Sequence, residues 1–266
     1  MDKRAIGVFD SGLGGLTAAK VLEETMPCEN IIYLGDTANM PYGPRTREDI
    51  TRLAMHNAEF LMARDVKAIL VACGTVSSNA LDKLRESFDV PFFGVIDSAA
   101  IAAAEATETG RVAVIATEAS IRSGAYRRAL EARDKNLKIF ETACSSFVPL
   151  VESGHFAAAD PAVRAAVEAE LSALKRFGAD TLILGCTHFP LLEDAISEYL
   201  GEDVHLISCG GEAALALREY LHDEDKLKGD DEIGYRRFFT SGDTAVFSAG
   251  AETFLGHIVE AENAVF

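Results

Sequence analysis

The sequence predicts an α/β protein with mainly parallel sheets, built as two pseudo-symmetric α/β domains that face each other across a cleft. Short apolar runs recur along the chain without polar alternation, which is typical of strands that are covered on both faces. Longer helical patterns separate these runs, as in right-handed βαβ units. The segments 70–84 and 183–196 also repeat one pattern, in which an apolar strand ends in a cysteine that a threonine and a helix follow.

The predicted strands are the apolar runs that turn residues or helical patterns bound, and they cover 5–9, 31–34, 68–72, 91–96, 111–116, 181–184 and 204–207. Two helices are predicted from their three- and four-residue apolar spacing or their start signals. One covers 46–64, and the other covers 160–177, where Asp160 followed by Pro161 is typical of a helix start. Because ligands of open α/β sheets bind at the carboxyl ends of strands, we expect functional side chains there.

The repeated pattern indicates two lobes, and breaks near Asp97 and Cys209 are compatible with the loops there. Residues 1–97 plus 209–266 are predicted to form the first domain, and residues 98–208 the second, with the active site in the cleft between them. A chain of 266 residues with 48% apolar content can bury one large core or two modest ones. Each predicted domain contributes one strand-end cysteine to the cleft.

The charge of the chain excludes some partners. Its 25 basic and 42 acidic residues give a formal net charge of −17, which argues against nucleic acid or an anionic membrane as the main partner. An acidic protein can still bind an acidic small molecule where backbone N–H groups and hydroxyls converge. No apolar stretch reaches transmembrane length, so we expect a cytoplasmic protein with five free cysteine thiols.

The segment DSGLGG, residues 10–15, directly follows the first predicted strand. Its glycines permit a tight turn whose N–H groups can point at an anion, although it lacks the dinucleotide fingerprint and the lysine of a phosphate loop. An ordinary turn is the open alternative. Asp10 is costly to bury unless it meets a cation such as a substrate ammonium, while both Asp10 and Ser11 also fit a helix cap.

The loop that begins after the second strand carries Pro41, Tyr42 and Gly43 before the helix from about Thr46. Loops at this edge of a sheet are common binding elements. The backbone N–H groups of Tyr42 and Gly43 can hold a carboxylate without an arginine. A purely structural role is the alternative.

Cys73 and Cys186 are the two strand-end cysteines. A single buried cysteine is often only a small hydrophobe, but two in matching contexts favour a function. A thiol with a pKa of about 8.5 needs a helix N-terminus or an acid–base neighbour to become a thiolate, and His188 lies two residues beyond Cys186. No second Cys/His cluster supports a zinc site, so no metal is expected. A nucleophile needs one cysteine, whereas proton transfer at a stereocentre needs one on each face.

Five segments, VFDSGLGGLTAAK, YLGDTANMPYGPR, VACGTVSS, FVPLVESG and LGCTHFPLL, resemble the glutamate racemases of the aspartate/glutamate racemase superfamily over essentially the whole chain. The resemblance implies an enzyme that interconverts L- and D-glutamate and supplies D-glutamate for peptidoglycan. It also implies that no cofactor is used, neither metal nor pyridoxal phosphate. Relatives commonly dimerise, so the resemblance is compatible with a homodimer.

The resemblance also assigns roles to residues. Cys73 and Cys186 match the two acid/base thiols, with Asp10 assisting Cys73, His188 assisting Cys186, and Glu152 orienting the histidine. The positions expected around the substrate are Asp10, Ser11, Pro41, Tyr42, Gly43, Gly74, Thr75, Thr117, Thr187 and His188. The remaining cysteines, Cys28, Cys144 and Cys209, are expected to be packing residues.

Two positions depart from the family pattern. Gly74 stands where relatives usually have Asn, and Ser120 where Thr is common. Gly74 either leaves room for a water in place of the amide or alters affinity or substrate choice. It therefore keeps open a racemase of aspartate or another small acidic amino acid. A non-catalytic protein that binds an anionic metabolite, and a redox sensor in which Cys73 and Cys186 pair, are the alternatives from other classes.

Overall fold

The structure, a computed structural model, describes residues 1–229 and 232–266 and contains in that part of the chain two parallel sheets. The predicted fold class, an α/β protein with mainly parallel sheets, is therefore confirmed. No helix within these residues is long and apolar enough to cross a membrane.

The larger sheet has six strands, β1 Ile6–Asp10, β2 Ile31–Gly35, β3 Ala68–Val71, β4 Phe92–Gly94, β9 Arg236–Thr240 and β10 Ala261–Asn263. Their order is β10-β9-β2-β1-β3-β4, and every neighbouring pair is parallel. The strands β1, β2 and β3 are buried along their whole length, which explains why their sequences lack polar alternation.

The smaller sheet has four strands, β5 Arg111–Ala116, β6 Lys138–Ala143, β7 Thr181–Leu184 and β8 His205–Ser208. Their order is β6-β5-β7-β8, again parallel throughout. The buried strands β5 and β7 lie at its centre, and β6 and β8 form its more exposed edges.

Helices connect and cover these strands. They are α1 Leu16–Thr25, α2 Arg47–Met62, α3 Gly74–Asn79, α4 Leu81–Ser87, α5 Val95–Ala106, α6 Glu118–Ser123, α7 Ala125–Arg133, α8 Phe147–Glu152, α9 Pro161–Phe177, α10 Glu193–Leu200, α11 Cys209–Asp223 and α12 Thr244–Leu255, with a 3₁₀ turn at Phe189–Leu192. The two predicted helices are confirmed as α2 and α9. Thr46 caps α2 by accepting the Asp49 N–H, and Asp160 caps α9 by accepting the Ala162 N–H.

The sequence patterns missed three strands and overextended one. β6 and β10 lie at sheet edges and are only partly buried, so their sequences mix apolar and polar residues. The strand β9 begins with two arginines and shows only a short apolar run. The predicted strand at 91–96 ends at Gly94, because Val95 is the first residue of α5.

The core joins the two sheets. One buried apolar cluster contains residues of both, for example Val8 of β1 and Val114 of β5. Helix α11 contacts β3 and β4 of the larger sheet and β8 of the smaller one, while α5 packs on α11, β7 and β8. A second cluster covers the other face of the larger sheet beneath α2. The division into domains 1–97 plus 209–266 and 98–208 stays a prediction.

Candidate active site

The carboxyl ends of three strands bring chemically active side chains to one cavity of about 260 Å³. Asp10 is the last residue of β1, Cys73 lies just beyond β3, and Cys186 lies just beyond β7. Because β7 belongs to the smaller sheet, Cys73 and Cys186 reach the cavity from different sheets. This is the edge at which ligands of parallel α/β sheets bind.

Every predicted site residue lines this cavity, namely Asp10, Ser11, Pro41, Tyr42, Gly43, Cys73, Gly74, Thr75, Thr117, Glu152, Cys186, Thr187 and His188. The further lining residues are Gly12, Met40, Pro44, Glu118, Cys144, Ser145, Val148 and Pro149. Within residues 1–229 and 232–266, no lysine or arginine lines it. An anionic group in this cavity must therefore be held by hydroxyl, backbone N–H or imidazole donors.

Sequence reasoning did not assign Cys144, Ser145, Val148 and Pro149 to the site, although the motif FVPLVESG was recognised. These residues follow the edge strand β6, whose mixed sequence hid the strand and with it the strand-end position of Cys144. Cys144, expected to be a packing residue, is 1% exposed and also lines the cavity. Burial raises the pKa of the Cys144 thiol, so this side chain lines the cavity as an uncharged thiol.

Cys73 lies on the side of the cavity that the larger sheet forms. It is the N-cap residue of α3, and its thiol donates a hydrogen bond to Ser11 Oγ at 3.5 Å. Burial, together with the nearby Asp10 carboxylate, raises the pKa of Cys73 to about 12. Cys73 is therefore a thiol at neutral pH, and its thiolate, once formed, is a strong base.

Asp10 lies next to Cys73 and is 1% exposed. Its Oδ2 accepts the Gly12 N–H at 2.9 Å, while its buried Oδ1 has no hydrogen-bond partner. Burial raises the pKa of Asp10, and the nearby His188 acts in the opposite direction. Helix α1 is capped by Gly15 instead, so Asp10 does not serve as its N-cap. A buried carboxylate oxygen without a donor is suited to a cationic ligand group.

Cys186 has a different set of neighbours. His188 Nδ1 lies 3.8 Å from the Cys186 sulfur, and His188 Nε2 lies 3.1 Å from Glu152 Oε1. When Nε2–H donates to the carboxylate, Nδ1 is left as an acceptor that faces the thiol. Burial raises the pKa of Cys186 as well. Cys186 thus has a base beside it, whereas Cys73 has a carboxyl group.

A chain of hydroxyls crosses the cavity from one sheet to the other. Thr75 Oγ1 in α3 lies 2.9 Å from Thr117 Oγ1, and Thr117 Oγ1 lies 3.0 Å from Ser120 Oγ. Thr117 also caps α6 by accepting the Ser120 N–H. Ser78 joins the chain through a 3.2 Å hydrogen bond to Ser120 Oγ. Thr75 and Thr117 line the cavity, so their hydroxyls can contact a carboxylate there, while Ser78 and Ser120 support them from behind.

The loop with Pro41 to Gly43 is anchored by Asp36, a buried residue that sequence reasoning did not single out. The Asp36 carboxylate accepts hydrogen bonds from the Tyr42 hydroxyl, from Asn39 Nδ2 at 2.9 Å and from Ser241 Oγ at 2.6 Å. The Tyr42 hydroxyl is therefore engaged inside the protein. Its backbone N–H remains the polar group that fits the predicted carboxylate contact.

Two glycines mark where the sheets approach too closely for a side chain. A β-carbon on Gly14 would lie 2.5 Å from both His188 Nδ1 and Thr187 Oγ1. A β-carbon on Gly74 would lie 2.5 Å from the Gly185 carbonyl oxygen. The position of a β-carbon at Gly74 is thus taken by the backbone of the smaller sheet's cysteine segment.

The two parallel sheets and the cysteine pair in a shared cavity are the arrangement expected of an α/β amino-acid racemase. The comparisons agree with this class. A model of the Asp/Glu/Hydantoin racemase family matches residues 17–217. This chain belongs to the Asp/Glu/Hydantoin racemase family.

The relatives are similar over nearly the full length. The chain is 41% identical to the glutamate racemase of Geobacter metallireducens over 256 residues, which cover 96% of this chain and 94% of that protein. A glutamate racemase isoform from Bacillus anthracis superposes with a TM-score of 0.93 at 37% identity, covering 100% of this chain and 98% of that one. The Francisella tularensis enzyme, solved with D-glutamate, has a TM-score of 0.92 at 33% identity, with the same coverage.

Proposed function

We propose that this protein racemises glutamate by proton transfer between two thiols, Cys73 and Cys186. The observation that carries the proposal is the arrival of these two buried cysteines at one cavity from two different sheets. Glutamate is the substrate named for the full-length relatives at about 40% identity, which supports it over aspartate or another small acidic amino acid.

The α-proton of an amino acid is weakly acidic, so its removal needs a strong base and a site that stabilises the carbanion. A thiolate whose conjugate thiol has a raised pKa is such a base. The thiolate on one face takes the α-proton and becomes a thiol, while the thiol on the opposite face gives its proton to the same carbon and becomes a thiolate. The reverse reaction exchanges their roles, so atoms and charge balance in both directions.

The thiolates are formed with the help of different neighbours. On the Cys186 side, His188 Nδ1 can take the thiol proton, and Glu152 stabilises the resulting imidazolium through Nε2–H. On the Cys73 side, Asp10 is the adjacent titratable group, and Ser11 donates to the thiolate once the Cys73 proton has left. Each thiol therefore has its own acid–base partner.

The substrate is held by groups of opposite kinds. Asp10, which lines the cavity, receives the ammonium, whose positive charge also increases the acidity of the neighbouring α-proton. The hydroxyls of Thr75 and Thr117 and the backbone N–H groups of Tyr42 and Gly43 hold the carboxylates. Fixed donors in a small cavity stabilise developing charge more strongly than water does.

The wider setting follows from the family. D-Glutamate made here supplies peptidoglycan synthesis, and a cytoplasmic location is consistent with five cysteines that form no disulfide. The homodimer stays a prediction from the resemblance. We retain the division into domains 1–97 plus 209–266 and 98–208, which the distribution of strands between the two sheets supports.

Circular dichroism of the purified protein with L- and D-glutamate, and with both aspartate enantiomers, tests the function without added cofactor. We expect optical activity to decay to zero whether the reaction starts from L- or from D-glutamate. In deuterated water, both should incorporate deuterium at the α-carbon. Cys73→Ala and Cys186→Ala should each abolish racemisation in both directions, whereas Cys28→Ala, outside the cavity, should not. Turnover of aspartate without turnover of glutamate would instead identify an aspartate racemase. A protein that binds glutamate without any exchange would be a binding protein.

A further inference from the structure

The carbonyl of Gly185, the residue that precedes Cys186, is contacted from two sides. Tyr126, in α7, is fully buried, and its hydroxyl donates to this carbonyl at 3.1 Å. Gly74, at the start of α3, closes on the same carbonyl so tightly that its β-carbon would lie 2.5 Å from the oxygen. The carbonyl thus lies at the contact between an element of each sheet.

Other hydrogen bonds hold the backbone on either side of this carbonyl, including the one from the Thr17 hydroxyl to the Thr187 carbonyl at 3.1 Å. The Gly185 N–H donates to Ile115 O at 2.8 Å, which ends the pairing of β7 with β5. After it, Cys186 lies outside regular structure until its own carbonyl accepts the Phe189 N–H at 3.0 Å. Within this segment, the Tyr126 hydroxyl is the donor that fixes the carbonyl of the peptide between Gly185 and Cys186.

We propose that Tyr126 is a positioning residue for Cys186, because its hydroxyl holds the Gly185 carbonyl against which Gly74 closes. This proposal rests on the two-thiol function proposed above and explains how one of the two thiols is kept in place. The glycine at 74 then has a defined consequence. It allows the strand ends that carry Cys73 and Cys186 to approach more closely than any side chain at that position would permit.

Tyr126 acts through hydrogen bonding and not as an acid or base. Burial raises the pKa of Tyr126 well above its ordinary value, and the neighbouring Cys209 adds to this effect. The phenol therefore stays neutral and keeps its proton to donate. Without it, the buried Gly185 carbonyl would lose a partner, and the peptide would turn toward another donor.

The larger sheet offers a matched arrangement. Tyr33, in β2, is also fully buried, and its hydroxyl donates to the Gly12 carbonyl at 2.9 Å. Gly12 belongs to the turn that carries Asp10 and Ser11, the neighbours of Cys73. On each side of the cavity, one buried tyrosine therefore donates a hydrogen bond to a backbone carbonyl. Removing the Tyr33 hydroxyl is thus the matched control for removing the Tyr126 hydroxyl, on the side of Cys73.

The variant Tyr126→Phe removes only the hydroxyl. Since a displacement of about 1 Å can reduce a rate on the order of a hundredfold, we expect kcat/KM to fall by about tenfold to a hundredfold. The two enantiomers are equal in energy, so kcat/KM must fall equally in both directions. The rate alone cannot show which thiol is affected.

Primary isotope effects on kcat/KM with α-deuterated L- and D-glutamate separate the thiols, because each reports the step in which that enantiomer loses its α-proton. One enantiomer loses it to Cys186 and the other to Cys73. In Tyr126→Phe the isotope effect should rise for the first enantiomer and fall for the second. Tyr33→Phe should give the reverse pattern. Tyr220→Phe, whose hydroxyl contacts Lys226, should change neither.

A second variant covers the case in which Tyr126→Phe does not fold. Gly74→Ala acts on the same carbonyl from the other side and should lower kcat/KM for both enantiomers without the opposite isotope shifts, because it separates the thiols. Wild-type rates in either variant, or isotope effects that shift equally in Tyr126→Phe, would overturn the proposal. Absence of glutamate racemisation in the unaltered protein would instead refute the proposed function.

Discussion

The contact between the glycine-rich turn and the second cysteine segment makes Gly14→Ala an informative substitution. Gly14 lies in the DSGLGG turn of the larger sheet, and the segment with Thr187 and His188 follows β7 of the smaller one. The added β-carbon would lie 2.5 Å from both His188 Nδ1 and Thr187 Oγ1. Thr17 reinforces this approach, because its hydroxyl donates to the Thr187 carbonyl at 3.1 Å.

The size of the effect follows from these distances. Carbon and a polar atom need about 3.5 Å, so the histidine segment or the turn must retreat by roughly 1 Å. A displacement of this size can lower a rate on the order of a hundredfold. Overpacking costs about 1 to 3 kcal/mol of unfolding free energy, which a folded chain of this size can tolerate. We therefore expect kcat to fall by about a hundredfold while the protein remains folded.

The assay compares kcat for glutamate racemisation with the unfolding free energy from urea denaturation. Gly211→Ala is the control, because its β-carbon would meet only ordinary contacts at 3.4 Å, in helix α11 away from the cavity. It should leave kcat unchanged and the stability equal or slightly higher. If Gly14→Ala kept wild-type kcat, the close approach of the two sheets would not be required for catalysis.

Three further predictions concern loop anchoring, buried charge and thiol titration. Asp36→Asn weakens the anchor of the Tyr42 loop and should raise KM for glutamate by about tenfold, with a smaller change in kcat. Lys67→Met leaves the buried Glu29 without its cation and should lower the unfolding free energy by about 3 to 5 kcal/mol, measured with urea. Burial raises the pKa of Cys73 to about 12 in the folded protein. Its contribution to the unfolding free energy should therefore be fully present below about pH 8.5 and should be lost as the pH rises from there toward 12.

Each has a control or a contrary outcome. An unchanged KM in Asp36→Asn would show that the loop does not hold the substrate. The double variant Lys67→Met, Glu29→Leu should recover part of the lost stability, since it removes the unpaired charge as well. In Cys73→Ala the alkaline decline of unfolding free energy should become shallower, and an unaltered slope would mean that this thiol does not titrate with unfolding.

Much of the fold and site could be predicted because their signals are local. The runs 68–72 and 181–184 are apolar without alternation, which indicates buried parallel strands, and such strands end at a common edge. Cys73 and Cys186 were therefore expected at that edge from their positions alone. The family motifs then added Glu152 and Thr117, whose own surroundings in the sequence carry no comparable signal.

Other features had no local signal. The edge strand β6 is half-exposed, so its sequence does not show the pattern of a buried strand, and the position of Cys144 at the cavity was hidden with it. Asp36 depends on Ser241, which lies 205 residues further along the chain. Tyr126 depends on Gly185, 59 residues away. Hydrophobic periodicity and motif spacing are read over short stretches of sequence, so they cannot identify hydrogen-bond partners that lie so far apart in the chain.

The sequence by itself determined the class of fold, the two strand-end cysteines and the residues that resemble a racemase site, because hydrophobic periodicity and short motifs are local properties. The tertiary structure alone decided how the two halves meet. It placed His188 against Gly14 and the Gly185 carbonyl against Gly74. The sequence shows only that Gly74 lacks the amide of its relatives, whereas the structure shows that it makes a close contact between the sheets. The physical reason is that steric exclusion acts between segments distant in sequence, and only folding brings their atoms within contact distance.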